Sequence, residues 1–155
     1  MLNKYILALL LLSASTSTFA ATSKDYALAG ANAVTAAICL SYLANYPNEE
    51  RLKEAERMDE LLTIFQRDGH IFIEGVKGEK INREDTRKYV PLVLRDIFGL
   101  QISDDFYLGR VYQTLYSSTI NKLAEGLDAF SKNYAQELGY NASSAYANSN
   151  CALIK

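Results

Sequence analysis

The stretch SKDYALAGANAVTAAICLSYLANYP, residues 23–47, predicts the helix around which the fold is built. Its charged residues are confined to the start, so a long uncharged segment follows. Ser23 is a candidate N-cap, Asp25 would stabilise the first turn, and Pro47 is expected to end the helix. Small side chains one helical turn apart form a ridge that favours close approach of a second helix. This ridge consists of Ala29, Ala33, Ala37 and Ser41.

The same stretch is long enough to span a membrane, and a membrane helix is therefore the alternative interpretation. Polar residues and many alanines make the stretch only weakly apolar, which favours a core helix of a soluble domain. The polar residues are Asn32, Thr35, Ser41, Tyr42 and Asn45. We therefore predict no stable membrane span in the mature chain.

Residues 1–20 have the pattern of a secretory signal peptide. Lys4 precedes a short apolar core, which is too short to cross a bilayer. The small residues Thr18 and Ala20 fit the requirements of a cleavage site after Ala20. We expect the mature chain, residues 21–155, to be a single helical domain in the periplasm or the extracellular space.

Two cysteines, Cys39 and Cys151, lie in this predicted mature chain. Because an oxidising compartment leaves few free thiols, an even number of cysteines favours a structural disulfide. Two free thiols or an intermolecular bridge are the alternatives. Residues 140–155 form a polar tail with few large side chains, so packing alone would hold them weakly. A Cys39–Cys151 bond would tie this tail to the first mature helix.

Residues 48–69 predict a second, amphipathic helix. Asn48 is a candidate cap, and Gly69 is typical of the residue that follows a last helical turn. Apolar side chains recur at helical spacing between them: Leu52, Ala55, Met58, Leu61, Leu62, Ile64 and Phe65. Residues 70–82 contain two glycines and a short alternating run. This segment favours a short helix or an irregular turn, and a small hairpin is the alternative.

Residues 82–99 predict a further helical region. Asn82 is the candidate cap, and Gly99 is expected to end the region. Pro91 lacks a backbone N–H and disfavours helical backbone at the preceding residue. We therefore expect a kink at Pro91 or two short helices that meet there.

The last predicted element covers residues 104–138. Ser103 is its candidate cap and Gly139 its expected end. It is either one long helix or two helices separated at residues 117–119, which read Ser-Ser-Thr. The sequence as a whole predicts an all-α fold, a compact bundle of about four to six helices with an ordered core over about 23–139.

Few patterns in the sequence indicate chemistry. His70 is the only histidine, which excludes a histidine-based zinc site. It follows the predicted helix end, where the negative end of the helix dipole would stabilise it. No serine-nucleophile motif or phosphate loop occurs, so we predict no catalytic residue, no cofactor and no metal site. A two-carboxylate glycosidase stays open because its carboxylates need not be close in sequence.

Composition indicates a protein partner rather than a nucleic acid. The formal net charge of −2 provides no basic surface for nucleic acid. The sequence has eleven tyrosines and no tryptophan. A group of interface-prone residues occurs in one segment of the last predicted helix, namely Tyr107, Arg110, Tyr112 and Tyr116. We predict a binding face here; the alternative is that these rings pack between helices.

These features favour a secreted, non-enzymatic protein that binds another secreted or periplasmic protein. An inhibitor or immunity-type protein is the first expectation. An envelope-assembly accessory or chaperone-like factor is the alternative, and a small enzyme acting on the cell wall ranks third.

Overall fold

The computed structural model describes residues 20–155, and this part of the chain is all-α, as predicted, with no strand. The α-helices are α1 (Ser23–Ala44), α2 (Asn48–Lys53), α3 (Ala55–Lys77), α4 (Arg83–Tyr89), α5 (Asp104–Leu123) and α6 (Tyr134–Asn148). Two short 3-10 helices span Leu92–Ile97 and Cys151–Leu153. The predicted signal peptide lies outside the described residues, apart from its last residue.

α1 is the central helix, and α3, α4, α5 and α6 all contact it. By length and composition it is the one described helix that could cross a membrane, yet 61% of its most apolar window is buried within the fold. Every residue of the predicted small-residue ridge is buried, and α3 makes the most extensive contact with α1. A Cβ atom at Gly30 would lie 2.8 Å from the Phe72 ring, and one at Gly75 would lie 2.6 Å from Tyr26. α1 and α3 are therefore antiparallel and closely packed.

The N-cap of α1 is Thr22, one residue before the predicted cap Ser23. The Thr22 hydroxyl accepts a hydrogen bond from the Asp25 backbone N–H at 3.3 Å, and the Asp25 carboxylate accepts one from the Thr22 N–H at 2.8 Å. Since this capping box satisfies the free N–H groups, the prediction of Ser23 as the cap is wrong. The Ser23 hydroxyl instead donates to Asp85 at 2.5 Å and so ties α1 to α4.

The single helix predicted over residues 48–69 is wrong, because α2 ends at Lys53 and α3 begins at Ala55. Asn48 is the first residue of α2 and not its cap, which is Pro47, so the predicted cap is wrong as well.

α3 also extends beyond its predicted end. The helix continues through Gly69 to Lys77, and residues 78–82 form an irregular turn. The predicted end at Gly69, a separate short helix over residues 70–82 and the alternative hairpin are therefore wrong. A Cβ atom at Gly69 would lie 2.6 Å from a methyl carbon of Leu108. This glycine therefore allows α5 to approach α3, and it does not end the helix.

The region around Pro91 consists of two short helices, as predicted. The Asn82 side chain caps α4 by accepting from the Asp85 backbone N–H at 2.8 Å. α4 ends at Tyr89, and the first 3-10 helix begins directly after Pro91. Gly99 follows this segment with a φ of 98°.

The last predicted element is two helices, but the break lies elsewhere than residues 117–119. Ser103 caps α5, and α5 continues through the Ser-Ser-Thr segment to Leu123. Gly126 has a φ of 80° in the following turn, a conformation that glycine adopts readily. The Ser-Ser-Thr break is therefore wrong, and the chain turns where glycine permits it.

α6 covers much of the segment that was predicted to be a polar tail. Gly139, the predicted end of the preceding helix, lies inside α6, and a Cβ atom there would be 2.8 Å from Pro47. Ala142 of α6 is fully buried. Asn150, with a φ of 54°, ends this segment in a left-handed turn before Cys151.

Candidate functional site

The predicted disulfide joins Cys39 of α1 to Cys151, with Cα atoms 5.6 Å apart. Both cysteines are buried in the core. The bond connects residues separated by 112 positions and holds the C-terminal end against the central helix. The C-terminal end of the folded domain is therefore linked covalently to α1.

A second tie, which the sequence did not indicate, comes from Arg57 of α3. Its Nη2 donates to the carbonyl oxygens of Cys151 at 2.7 Å and Ile154 at 2.9 Å. Its Nε donates to the Tyr146 hydroxyl at 3.3 Å. The guanidinium group thus fixes α6 and the last 3-10 helix to α3.

Tyr107 is not part of an exposed face, so the prediction that it belongs to a binding face is wrong. Its side chain is 1% exposed, and its hydroxyl donates to the Leu94 carbonyl oxygen at 2.9 Å. Burial raises the pKa of the Tyr107 hydroxyl, and the nearby Asp96 carboxylate raises it further. Tyr107 is a core residue that anchors α5 to the first 3-10 helix.

Arg110 is exposed, as a binding residue would be, but its charge is already paired. Its guanidinium contacts the Asp96 carboxylate and lies 5.7 Å from the centre of the Tyr107 ring. Arg110 also lies away from Tyr112 and Tyr116, since it lines a different depression, next to Val93.

Tyr112 and Tyr116 do come together on the surface of α5. Their rings stack with centroids 6.0 Å apart, and both side chains are half-buried. The Tyr112 ring also lies 6.0 Å from Phe65 of α3. The two tyrosines form an aromatic wall between two depressions.

The first depression, here called the Leu62 groove, lies between α3 and α5 with α1 below. It has a volume of about 480 Å³ and is lined by Leu40, Ala55, Met58, Asp59, Leu62 and Tyr112. Leu62 is 40% exposed although its neighbour Leu61 is fully buried. The groove is thus open and largely apolar.

The second depression, here called the Tyr116 cleft, lies between the end of α1, α2 and the start of α6. It has a volume of about 510 Å³. Tyrosines, amides and one arginine line it, chiefly Tyr46, Tyr116, Tyr134, Asn45, Gln136 and Arg51. This cleft is more polar than the Leu62 groove and offers hydrogen-bonding groups on aromatic walls.

The groove and the cleft follow one another along the same surface strip. Leu40 lines the Leu62 groove, and Ala44, one turn further along α1, lines the Tyr116 cleft. Tyr112 and Tyr116 are related in the same way on α5. We refer to the two depressions together as the α1–α5 strip.

The electrostatics of this strip are simple. Burial raises the pKa of Tyr112 and of Tyr46, so both hydroxyls are protonated near neutral pH and can donate hydrogen bonds. Among residues 20–155, Asp59 is the one charged residue that lines the Leu62 groove. In the Tyr116 cleft, Arg51 donates to the Ala44 carbonyl oxygen at 3.3 Å.

The sequence predicts some residues of the strip as part of the apolar stripe of α3, and it gives no indication of the others. Met58 and Leu62 belong to the predicted apolar stripe, which is wider than one buried face. Adjacent leucines at 61 and 62 were the available signal, because both cannot face the same side of a helix. No sequence pattern indicates that Tyr46 and Tyr134 line the strip, because their proximity depends on the packing of α6 against α1.

His70 lies within α3 and not past a helix end, so its predicted position is wrong. Its Nε2 lies 3.3 Å from an Asp105 carboxylate oxygen at the start of α5. Between residues 20 and 155, no group of three or more His, Cys, Asp and Glu side chains is arranged to hold a metal ion.

No protein-family model matches the sequence, and comparisons with curated proteins and with solved structures found no match.

Proposed function

We propose that this protein acts outside the cytoplasm by binding another protein through the α1–α5 strip. The observation that carries the proposal is the Leu62 groove, an open apolar depression on the surface of a tightly packed helical scaffold. Exposed apolar side chains next to tyrosines are typical of the central contacts of protein interfaces. The adjoining Tyr116 cleft adds polar groups that would fix the orientation of the partner.

The strip is suited to tight binding because it is built on helices. Its walls come from α3 and α5, which pack on the central α1, and the disulfide and Arg57 hold the C-terminal segment in place. Little ordering is then required when a partner binds, so less of the contact energy is lost. A preorganised surface of this kind favours an inhibitor or immunity-type protein that forms a stoichiometric complex.

The proposed compartment follows from the disulfide. Buried disulfides form and persist in oxidising environments, such as the periplasm or the extracellular space. A signal peptide over residues 1–20, with cleavage after Ala20, would deliver the chain there.

The proposal is tested by recovering the tagged protein from the extracytoplasmic fraction of its native host under mild conditions. We expect a complex with one partner protein at fixed stoichiometry, by light scattering after gel filtration. Tyr116→Ala should disrupt the complex, because Tyr116 lines the cleft and stacks on Tyr112. Tyr89→Ala is the matched control, since Tyr89 is a half-buried tyrosine at the end of α4 that does not line the strip.

Three results would contradict the proposal. The protein could be recovered alone, or the two tyrosine variants could lose the complex equally. Turnover of cell-wall material by the purified protein would favour a small enzyme acting on the cell wall instead of a binding protein.

A further inference from the structure

We infer that the Leu62 groove receives an amphipathic helix of the partner that presents a lysine or arginine to Asp59. This inference rests on the proposed function and adds the chemistry of the partner segment. Its basis is the shape of the groove together with the charge of Asp59 inside it.

The groove has the dimensions of a site for a short helical segment. Ala55, Met58 and Leu62 form its α3 wall over about two helical turns, roughly 10 Å. Leu40 forms the floor, and Tyr112 forms the opposite wall. Two turns of an amphipathic helix present apolar side chains at matching intervals, as in other complexes in which a helix lies in a groove.

The packing of the bundle shows why a helix fits here. α3 and α5 touch at Gly69 and Leu108 and again at Phe65 and Tyr112. Beyond the Phe65–Tyr112 contact, towards the start of α3, the Leu62 groove opens between these two helices over α1. A helix from a partner would pack against both walls, as a further helix of the bundle would.

Asp59 determines the charge that the partner segment must carry. It lines the groove, is exposed, and has no ion-pair partner among residues 20–155. Glu56, one turn earlier, has none there either, whereas Glu60 accepts from Arg57 at 2.7 Å. Docking of an apolar helix would remove water from Asp59, and an unpaired desolvated carboxylate is costly. A lysine or arginine on the partner offsets this cost, and an acidic segment adds repulsion.

The test places a photoreactive group inside the groove of the full-length exported protein. Ala55→p-benzoylphenylalanine is suitable because Ala55 is small, exposed and lines the groove. Irradiation of intact cells, followed by mass spectrometry of the adduct, identifies the cross-linked segment. The same variant is combined with Asp59→Lys, and in parallel with Glu125→Lys as a control of equal charge change on an exposed loop residue.

We expect a protein adduct whose cross-linked segment has apolar residues at helical spacing and a lysine or arginine on the same face. Its yield should fall about tenfold with Asp59→Lys and stay within about twofold with Glu125→Lys, because only Asp59 faces the partner. An acidic or uncharged segment, or equal yields in both charge variants, would overturn the inference but not protein binding at the strip. An adduct with a second copy of the chain would overturn both the inference and the proposed binding of another protein. Absence of any protein adduct would overturn the proposed function as well.

Discussion

Arg57 donates a hydrogen bond to the carbonyl oxygen of Cys151 at 2.7 Å, so one residue of the C-terminal segment is held both covalently and by a charged hydrogen bond. The same guanidinium reaches Ile154 and Tyr146, which lie on either side of Cys151 along the chain. The disulfide fixes this segment to α1, and Arg57 fixes it to α3. The two ties hold α6 in the position where it forms one side of the Tyr116 cleft.

Replacing Arg57 by alanine should destabilise the oxidised protein. The change leaves carbonyl groups of Cys151 and Ile154 without their donor, and hydrogen bonds to charged groups contribute about 1.5–3 kcal/mol. We expect a loss of this size in the free energy of unfolding, measured with urea. Lys53→Ala, at an exposed position of α2, should change it by less than about 0.5 kcal/mol. Equal effects of the two variants would show that Arg57 does not act as a tie.

Removing the disulfide should loosen α6 first. We expect the double variant Cys39→Ala, Cys151→Ala to lose about 2–5 kcal/mol of stability, since the bond joins distant parts of the chain. Hydrogen exchange should quicken more in Tyr134–Asn148 than in α3, because α3 packs along the whole of α1 independently of this bond. A uniform rise in exchange across all helices would instead indicate that the disulfide stabilises the entire fold as one unit.

Two glycines should respond to alanine in opposite directions. At Gly75 a new methyl group would lie 2.6 Å from Tyr26, so Gly75→Ala should cost about 1–3 kcal/mol through overpacking between α3 and α1. At Gly109 a new methyl group would meet no atom of another described element within 4 Å, so Gly109→Ala should stabilise α5 by about 0.5–1 kcal/mol. Melting temperatures of the two variants provide the comparison. A gain at both positions would mean that α1 and α3 pack less closely than described.

Stability should decrease at alkaline pH, partly through Tyr112. Burial raises its pKa above the value of about 10 expected in the unfolded chain, so its contribution is fully present below pH of about 10. The contribution is lost as the pH rises through the folded-state pKa, because the unfolded chain releases the proton first. Tyr112→Phe cannot ionise, and its urea midpoint should therefore fall less between pH 9 and pH 11, a window of roughly one unit on each side of the unfolded pKa. An identical fall in the variant would rule out this role for Tyr112.

The helical class, the caps at Asn82 and Ser103 and the disulfide could be predicted from the sequence, because each depends on local patterns or on the number of cysteines. Gly69 and Gly139 could not be interpreted correctly in this way. Each was predicted to end a helix, yet each lies inside one, where it contacts Leu108 or Pro47. A glycine that ends a helix and a glycine at a helix contact look alike until the distant partner is known.

The candidate site was predictable only in part for a similar reason. Tyr107 and Tyr112 share residue type and helix, but Tyr107 reaches a backbone carbonyl in the core while Tyr112 lies at the edge of a groove. The apolar stripe of α3 contains both Leu61 and Leu62, and only the packing of α1 decides that Leu61 is the buried one. Periodicity identifies apolar faces, but it does not show which part of a wide face stays uncovered.

The most direct test of protein binding at the α1–α5 strip compares Leu62→Glu with Ile71→Glu. Leu62 and Ile71 are 40% and 38% exposed on the same helix, and their spacing places them on opposite faces of α3. The affinity of each purified variant for the partner recovered with the wild-type protein is measured by calorimetry, after equal melting temperatures are confirmed. We predict that Leu62→Glu weakens binding by about tenfold or more and that Ile71→Glu changes it by less than about twofold. Equal affinities for the two variants, or a larger loss with Ile71→Glu, would contradict binding at the Leu62 groove.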